Sequence, residues 1–356
     1  MNLKNTSYKE KKNAQNIRIS KMNESHNKIK DIIKEIDDKF IILKNKVDLS
    51  KYYRYLQKTN IITDYAYSTT IFIDNKYMPG ILNWGYNLKY VIKTPYNLIC
   101  LVQDKPYYEI DNYGNHFIKF PGLNENEIND IKKVFDVVIG IDVLSNKFNT
   151  HNREGQIEYK NIFYYCTKIL CLGLTNYKKI IYLDSSTIVN LSIDNIFNEY
   201  NESSYYVIYH CKDSLRGLAS NYYLFIPQDY YLEKGLYIIQ NYLTLFENYF
   251  SGHTVDEDIL YYIIYPHWGL KLLENILYSV YTLNIQNNTN MNYNLFSSMV
   301  DKSFRYTIAN KDNRFLFNNT LNIYNNFDTI VRTLLITYPD FNKYYEFIKT
   351  YRYTKF

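Results

Sequence analysis

Long apolar runs are missing from this sequence: its hydrophobic stretches are strand-length, which argues against a membrane span. The first residues, Met1-Asn2-Leu3-Lys4-Asn5-Thr6, carry no apolar core, so no secretory signal is read there. Cysteine is scarce, and Cys100, Cys166, Cys171 and Cys211 form neither a C-x-x-C pair nor a zinc spacing. Cys166 and Cys171 read as buried thiols near a helix, which fits a reducing, cytoplasmic setting. The phosphate and hydrolase fingerprints are absent too. There is no G-x-G-x-x-G, no G-x-S-x-G and no H-E-x-x-H. Gly80 and Gly85 give half of a phosphate-loop spacing, but Tyr86 and Asn87 follow where Lys and Ser/Thr are needed. Any nucleotide site must hold its phosphates another way.

Charge is also nearly absent as a net quantity. Lys+Arg 41 against Asp+Glu 36 gives +5 over 356 residues, too little to argue for nucleic acid. The surplus is local: residues 1–60 carry 15 Lys/Arg and 7 Asp/Glu, or +8, which leaves −3 for residues 61–356. What the chain does have is aromatic area. Its Tyr 42 and Phe 19 are enough for a real core and exclude global disorder. The excess of Tyr, Asn, Ile and Lys fits an AT-rich genome.

Residues 1–20 read as a disordered basic tail and 21–60 as a helical arm. In the arm Ile29, Ile33, Ile36, Phe40, Leu43 and Val47 fall on one helix face, for docking on the domain or for a short coiled coil. From residue 61 short apolar runs alternate with helical stretches. Strands are expected over Ala66–Ile73, Asn97–Val102, Val137–Ile141 and Lys179–Leu183, and helices over Tyr77–Val91, Ile128–Val134 and Phe163–Leu174. Strands apolar at nearly every position, separated by helices, predict a parallel sheet covered on both faces. The α/β domain is expected over 61–300 and a helical extension over 301–356.

Asp184 ends the most apolar strand. In open α/β sheets ligands bind beyond the carboxyl ends of the strands, so its carboxylate is a candidate to face that crevice. A divalent cation there could bridge to a diphosphate; the alternative is an aspartate that caps the next turn.

Six segments resemble glycosyltransferase family 8, the glycogenin and bacterial galactosyltransferase group. They are Ala66–Thr70 with Tyr77-Met78-Pro79-Gly80, Phe135–Leu144, Thr167-Lys168, and Tyr182-Leu183-Asp184 with Thr187 and Val189 in place of the D-x-D strand. Leu224-Phe225-Ile226-Pro227, and Asp256-Glu257-Asp258-Ile259-Leu260 in place of D-Q-D-x-L-N, complete the set. Their order agrees over roughly residues 64–285. The resemblance implies a single-domain α/β, Rossmann-like fold of the GT-A nucleotide-sugar transferase type, with helical extensions at both ends. It implies a retaining transfer of a hexose from a UDP-sugar to a protein or glycan acceptor, assisted by Mn²⁺ or Mg²⁺.

Carried over residue by residue, Tyr77 would stack on uracil, and Thr69 or Thr70 would touch the nucleotide. Lys168 would offset diphosphate charge, Asp184 would contact ribose and metal, and Asp256 would bind the donor sugar's hydroxyls. Glu257 stands where the family has Gln; it could act as nucleophile or steady oxocarbenium charge, or simply face solvent. Three positions depart from the family's catalytic pattern. Ser186 replaces the second carboxylate of D-x-D, Ala219-Ser220-Asn221 lacks the N-x-G residues, and the H-x-x-G-x-x-K-P-W motif is missing. Near its place stands Lys311, a candidate phosphate contact, while His210 is either a replacement ligand or a packed residue. The competing expectation is a weak or inactive transferase-fold protein acting as a binding or scaffold module. A homodimer is left open as the assembly.

Overall fold

The computed structural model describes residues 49–72, 77–111, 113–144, 165–185, 187–189, 192–199, 205–207, 222–249, 260, 270–272, 295–297 and 329–345, with Asn27, Asp31, Lys34 and Asp38. Those four isolated positions are helical and exposed, the polar side of the periodicity seen in the arm.

Twelve strands are described: β1 (Arg54–Gln57), β2 (Tyr65–Ile71), β3 (Asn97–Gln103), β4 (Tyr107–Ile110), β5 (His116–Phe120), β6 (Val137–Ile141), β7 (Lys179–Leu183), β8 (Thr187–Val189), β9 (Tyr205–Val207), β10 (Tyr222–Phe225), β11 (Leu270–Leu272) and β12 (Leu295–Ser297). The main sheet has the order β1-β6-β3-β2-β7-β10-β9-β11. Its middle, β6-β3-β2-β7, is parallel. β1 and β10 flank it antiparallel, and β11 runs parallel to β9. A parallel-rich mixed α/β sheet is therefore the architecture, as the apolar runs required.

Why the middle strands read so clearly is physical. Every residue of β3, β6 and β7 is buried, as is all of β2 after Tyr65. Alternate residues feed two separate cores. Tyr67, Ile71, Leu98, Cys100, Val102, Val138, Ile181 and Leu183 face one. Ala66, Ile99, Leu101, Val137, Ile139, Ile180 and Tyr182 face the other. The first face is covered by α1 (Met78–Tyr86), α2 (Glu125–Val134) and a helix over 329–337. The second is covered by a 3₁₀ helix, Tyr165–Gly173, and by α3 (Asp229–Tyr249). α2 starts on a capping box: the Asn124 side chain accepts from the Glu127 amide, and Glu127 accepts from the Asn124 amide.

Two elements differ from the sequence expectation, and a third gains a packing partner. The segment read as a helical arm over 21–60 ends in β1, which pairs with β6 and makes the sheet begin at Arg54. The stretch read as one helix over Tyr77–Val91 is α1 followed by a π-helical turn, Asn87–Ile92, closed by Lys93 in the left-handed region (φ 59°). Of the helical extension expected over 301–356, the described residues 329–345 pack on the sheet: Ile330, Leu334, Phe341, Tyr344 and Tyr345 are part of the first core. Tyr345 donates to the Pro79 carbonyl (3.1 Å), and Asp130 of α2 receives Tyr344 (2.9 Å), Lys343 (2.7 Å) and Lys133 (2.7 Å).

Candidate functional site

Each parallel strand delivers its next residue to the same edge of the sheet, and three of those residues are acids. Asp104 follows β3, Asp142 follows β6 and Asp184 follows β7. Their surroundings separate them. Arg54 of β1 lies beside Gly140 in the register. Its Nε donates to Asp104 Oδ2 at 3.1 Å, its Nη2 pairs with Asp104 Oδ1, and the same nitrogen reaches Asp142 at 2.9 Å. Asp104 holds the guanidinium pKa above its usual value, chiefly through that hydrogen bond. Gly140 makes room: a Cβ there would sit 2.5 Å from the Asp104 carboxylate. This flank is a closed ion pair that ties β1 to the sheet.

The β7 flank is built differently. Ser68 pairs with Tyr182, so the same register carried two residues further sets Thr70 against Asp184, on the face of Tyr182. Lys168 comes to that face from the 3₁₀ helix and is buried. Four contacts fix this helix. The Tyr53 hydroxyl donates to the Leu170 carbonyl (2.7 Å), Thr167 Oγ1 accepts from the Leu144 amide (3.0 Å), and the Leu172 carbonyl accepts from the Gln228 amide (2.8 Å). Cys171 Sγ meets the Tyr223 hydroxyl at 3.3 Å, and Tyr223 stacks on Tyr182 with centroids 4.8 Å apart.

The Tyr182 hydroxyl senses both charged groups. Burial raises its pKa most; the Asp184 carboxylate raises it further, while the Lys168 ammonium and the neighbouring Thr70 hydroxyl oppose the shift. Burial likewise pushes the Cys171 thiol up to about 12, against the influence of Tyr223 and Lys168. Both groups are therefore neutral at ordinary pH. Asp184 at the strand tip is half-buried, and Lys168 is buried.

Of the residues singled out from the sequence, the structure gathers Thr70, Lys168 and Asp184 on one face. Thr69 points to the opposite face with its hydroxyl buried and unpartnered among the described residues. Tyr77 sits at the start of α1, half-buried and packed against the first core, again on the opposite face. Pro79 in the first turn suits that helix start. Beyond Asp184, β8 is held by pairing with β12, and the buried Asn87 side chain donates to the Val189 carbonyl at 2.6 Å. Ser186, Asp256, Glu257, Lys311 and His210 lie outside the described residues.

Among the described residues no group of three or more His, Cys, Asp and Glu is placed to hold a metal ion. Of the residues expected to hold a metal, Asp184 is among those described. One carboxylate suits Mg²⁺ when diphosphate oxygens and water complete the shell. The Arg54–Asp104–Asp142 cluster escaped the sequence reading, although its signal was present: an acid directly after an apolar strand, in the same position as Asp184.

No known family profile matches this chain. Uncharacterized protein R707 of Acanthamoeba polyphaga mimivirus is 29% identical over 136 residues, 38% of this chain and 41% of that protein. The match thus spans about two fifths of that relative's length. Among solved structures, the glycosyltransferase GlyE of Streptococcus pneumoniae TIGR4 superposes on 74% of this chain and 51% of its own (14% identity, TM-score 0.39). Galactosyltransferase LgtC, in complex with donor and acceptor sugar analogs, covers 66% of this chain and 87% of its own (14%, 0.39). Mouse xyloside xylosyltransferase 1 covers 67% and 98% (12%, 0.39). Among the described residues no helix is long and apolar enough to cross a membrane.

Proposed function

We propose that the chain is a retaining glycosyltransferase that moves a hexose from a UDP-sugar to a protein or glycan acceptor. The observation that carries this reading is the β7 tip, where Asp184 and the buried Lys168 share one face at the carboxyl edge of a parallel sheet, the edge where open α/β sheets generally bind ligands. A buried ammonium has little water to compete with, so it is suited to meet charge that develops on a departing diphosphate. Thr70 and Asp184 would border the nucleotide on the same side, and Tyr77 would approach the base from the start of α1. Asp256 would bind sugar hydroxyls beside the reacting carbon, with Glu257 next to it as nucleophile or as a stabiliser of oxocarbenium charge. Asp184, together with diphosphate oxygens, would hold a divalent cation, Mn²⁺ or Mg²⁺, which supplies further neutralisation of that charge.

A second reading is favoured by Ser186 standing where D-x-D has its second acid. A hydroxyl is a poorer ligand than a carboxylate, and a loss of that kind lowers affinity or activity by at least about 10–100-fold. On that reading the crevice binds but does not turn over. Hydrolysis assays over a panel of UDP-sugars, with and without Mn²⁺, separate the two. Turnover of one donor, abolished by Asp184→Ala, is expected. UDP binding without turnover of any donor would favour the binding module.

A further inference from the structure

We infer that the β4–β5 hairpin is the platform on which a saccharide acceptor rests, an inference that builds on the sugar-transfer reading of the crevice. The hairpin leaves and rejoins the sheet at the crevice edge. Gln103, the last residue of β3, donates from Nε2 to the Lys105 carbonyl at 3.0 Å and accepts the Leu123 amide on its own carbonyl at 2.8 Å. At the base Tyr107 stacks on Phe120 and packs with Phe72, just past β2, and Val143, just past β6. Three crevice loops therefore hold the foot of the ribbon.

Beyond the foot the apolar side chains turn outward. Tyr108 opposite Ile118, and Ile110 opposite His116, share one exposed face. Tyr113 is 91% exposed at the tip. A two-stranded ribbon with a bare apolar side is marginal in water, yet this tip is shaped in advance. The Asp111 carboxylate accepts the Tyr113 and Asn115 amides, both at 2.8 Å, and Gly114 takes φ +86°, which a side chain would resist. Rings with an apolar body and a polar hydroxyl suit a pyranose, which has an apolar C–H face and a rim of hydroxyls. A second copy of the chain is the poorer occupant, since a standard protein interface engages about 20–30 residues a side, far more than this ribbon displays.

The test presents the full chain to an array of defined oligosaccharides, with Tyr113→Ala and Tyr108→Ser variants, and follows UDP calorimetry and sedimentation on the same samples. Retention of an oligosaccharide is expected, weakened about tenfold or more by each substitution, with UDP binding unchanged. Tyr113 lies on an exposed turn, so its truncation leaves the fold intact. Retention of no oligosaccharide, retention indifferent to both variants, or a dimer that the variants dissolve would each overturn the proposal. Failure to bind UDP, with saccharide retention still dependent on the ribbon, would defeat the transfer reading and leave the platform standing.

Discussion

At one edge of the sheet, β3 and β6 hand over to Asp104 and Asp142, and β7 hands over to Asp184. The first two carboxylates share Arg54. The third stands on the same face as a buried lysine, and both groups act on the buried Tyr182 hydroxyl. The same residue type, in the same position relative to its strand, thus serves as a lock on one flank and as a candidate ligand contact on the other. The difference comes from what packs beside each strand: an antiparallel edge strand that carries Arg54, or a 3₁₀ helix that carries Lys168.

The largest effect that would break this contrast is functional. Lys168→Gln should lower donor turnover by about 10²–10³-fold, measured as kcat on whichever UDP-sugar is hydrolysed, while Arg54→Ala should leave kcat close to that of the wild type. Equal losses from both substitutions would erase the distinction between the flanks. The next effect is on stability. Arg54→Ala leaves Asp104 and Asp142 facing each other without their cation and should cost about 1–3 kcal/mol in urea unfolding; the pair is partly exposed, which keeps the figure below that of a fully buried one. Gly140→Ala drives a methyl toward the Asp104 carboxylate and should cost about 1–3 kcal/mol. Its effect should shrink in an Arg54→Ala background, since both act on one pair.

A smaller effect tests the same logic away from the edge. Burial alone would raise the Asp130 carboxyl, but Lys133, Lys343 and Tyr344 outweigh it and hold the pKa below the ordinary value. A carboxyl depressed in the folded state contributes stability that is complete above its unfolded pKa and is lost as pH falls through the folded one. Acid titration from pH 5 downward should therefore loosen the packing of 329–345 on α2. Asp130→Asn should remove that part of the pH dependence and cost roughly 1 kcal/mol at neutral pH. The smallest effect is chemical: Cys171, buried and pushed up to about 12, should resist iodoacetamide at pH 8 in the native chain, as should buried Cys100.

The sequence made the middle of the sheet legible because full burial on both faces forces apolar residues at every position. β6 and β7 fall where their apolar runs do, and β2 and β3 within two residues of them. Asp184 was singled out by its place after an apolar strand and Lys168 by the family resemblance; that the two share a face follows from strand parity and the neighbouring helix. What was not legible lacks such patterning. β1 reads Arg-Tyr-Leu-Gln, an edge strand with mixed exposure at the end of a stretch whose periodicity reads as helical. The β4–β5 ribbon has its apolar residues in the open, so no core periodicity marks it. α3 is 21 residues long, but its tyrosines and asparagines blur the apolar stripe. The Arg54 lock joins residues 50 positions apart, a pairing that no local window reveals.

The most direct test of the β7 tip is calorimetric titration of UDP into the wild-type chain and into Asp184→Asn, each with and without Mg²⁺. Binding by the wild type, strengthened by Mg²⁺ and insensitive to Mg²⁺ in the variant, is the expected result. Absence of UDP binding in the wild type under both conditions, or an identical Mg²⁺ response in the two chains, would contradict the assignment of Asp184 to the nucleotide.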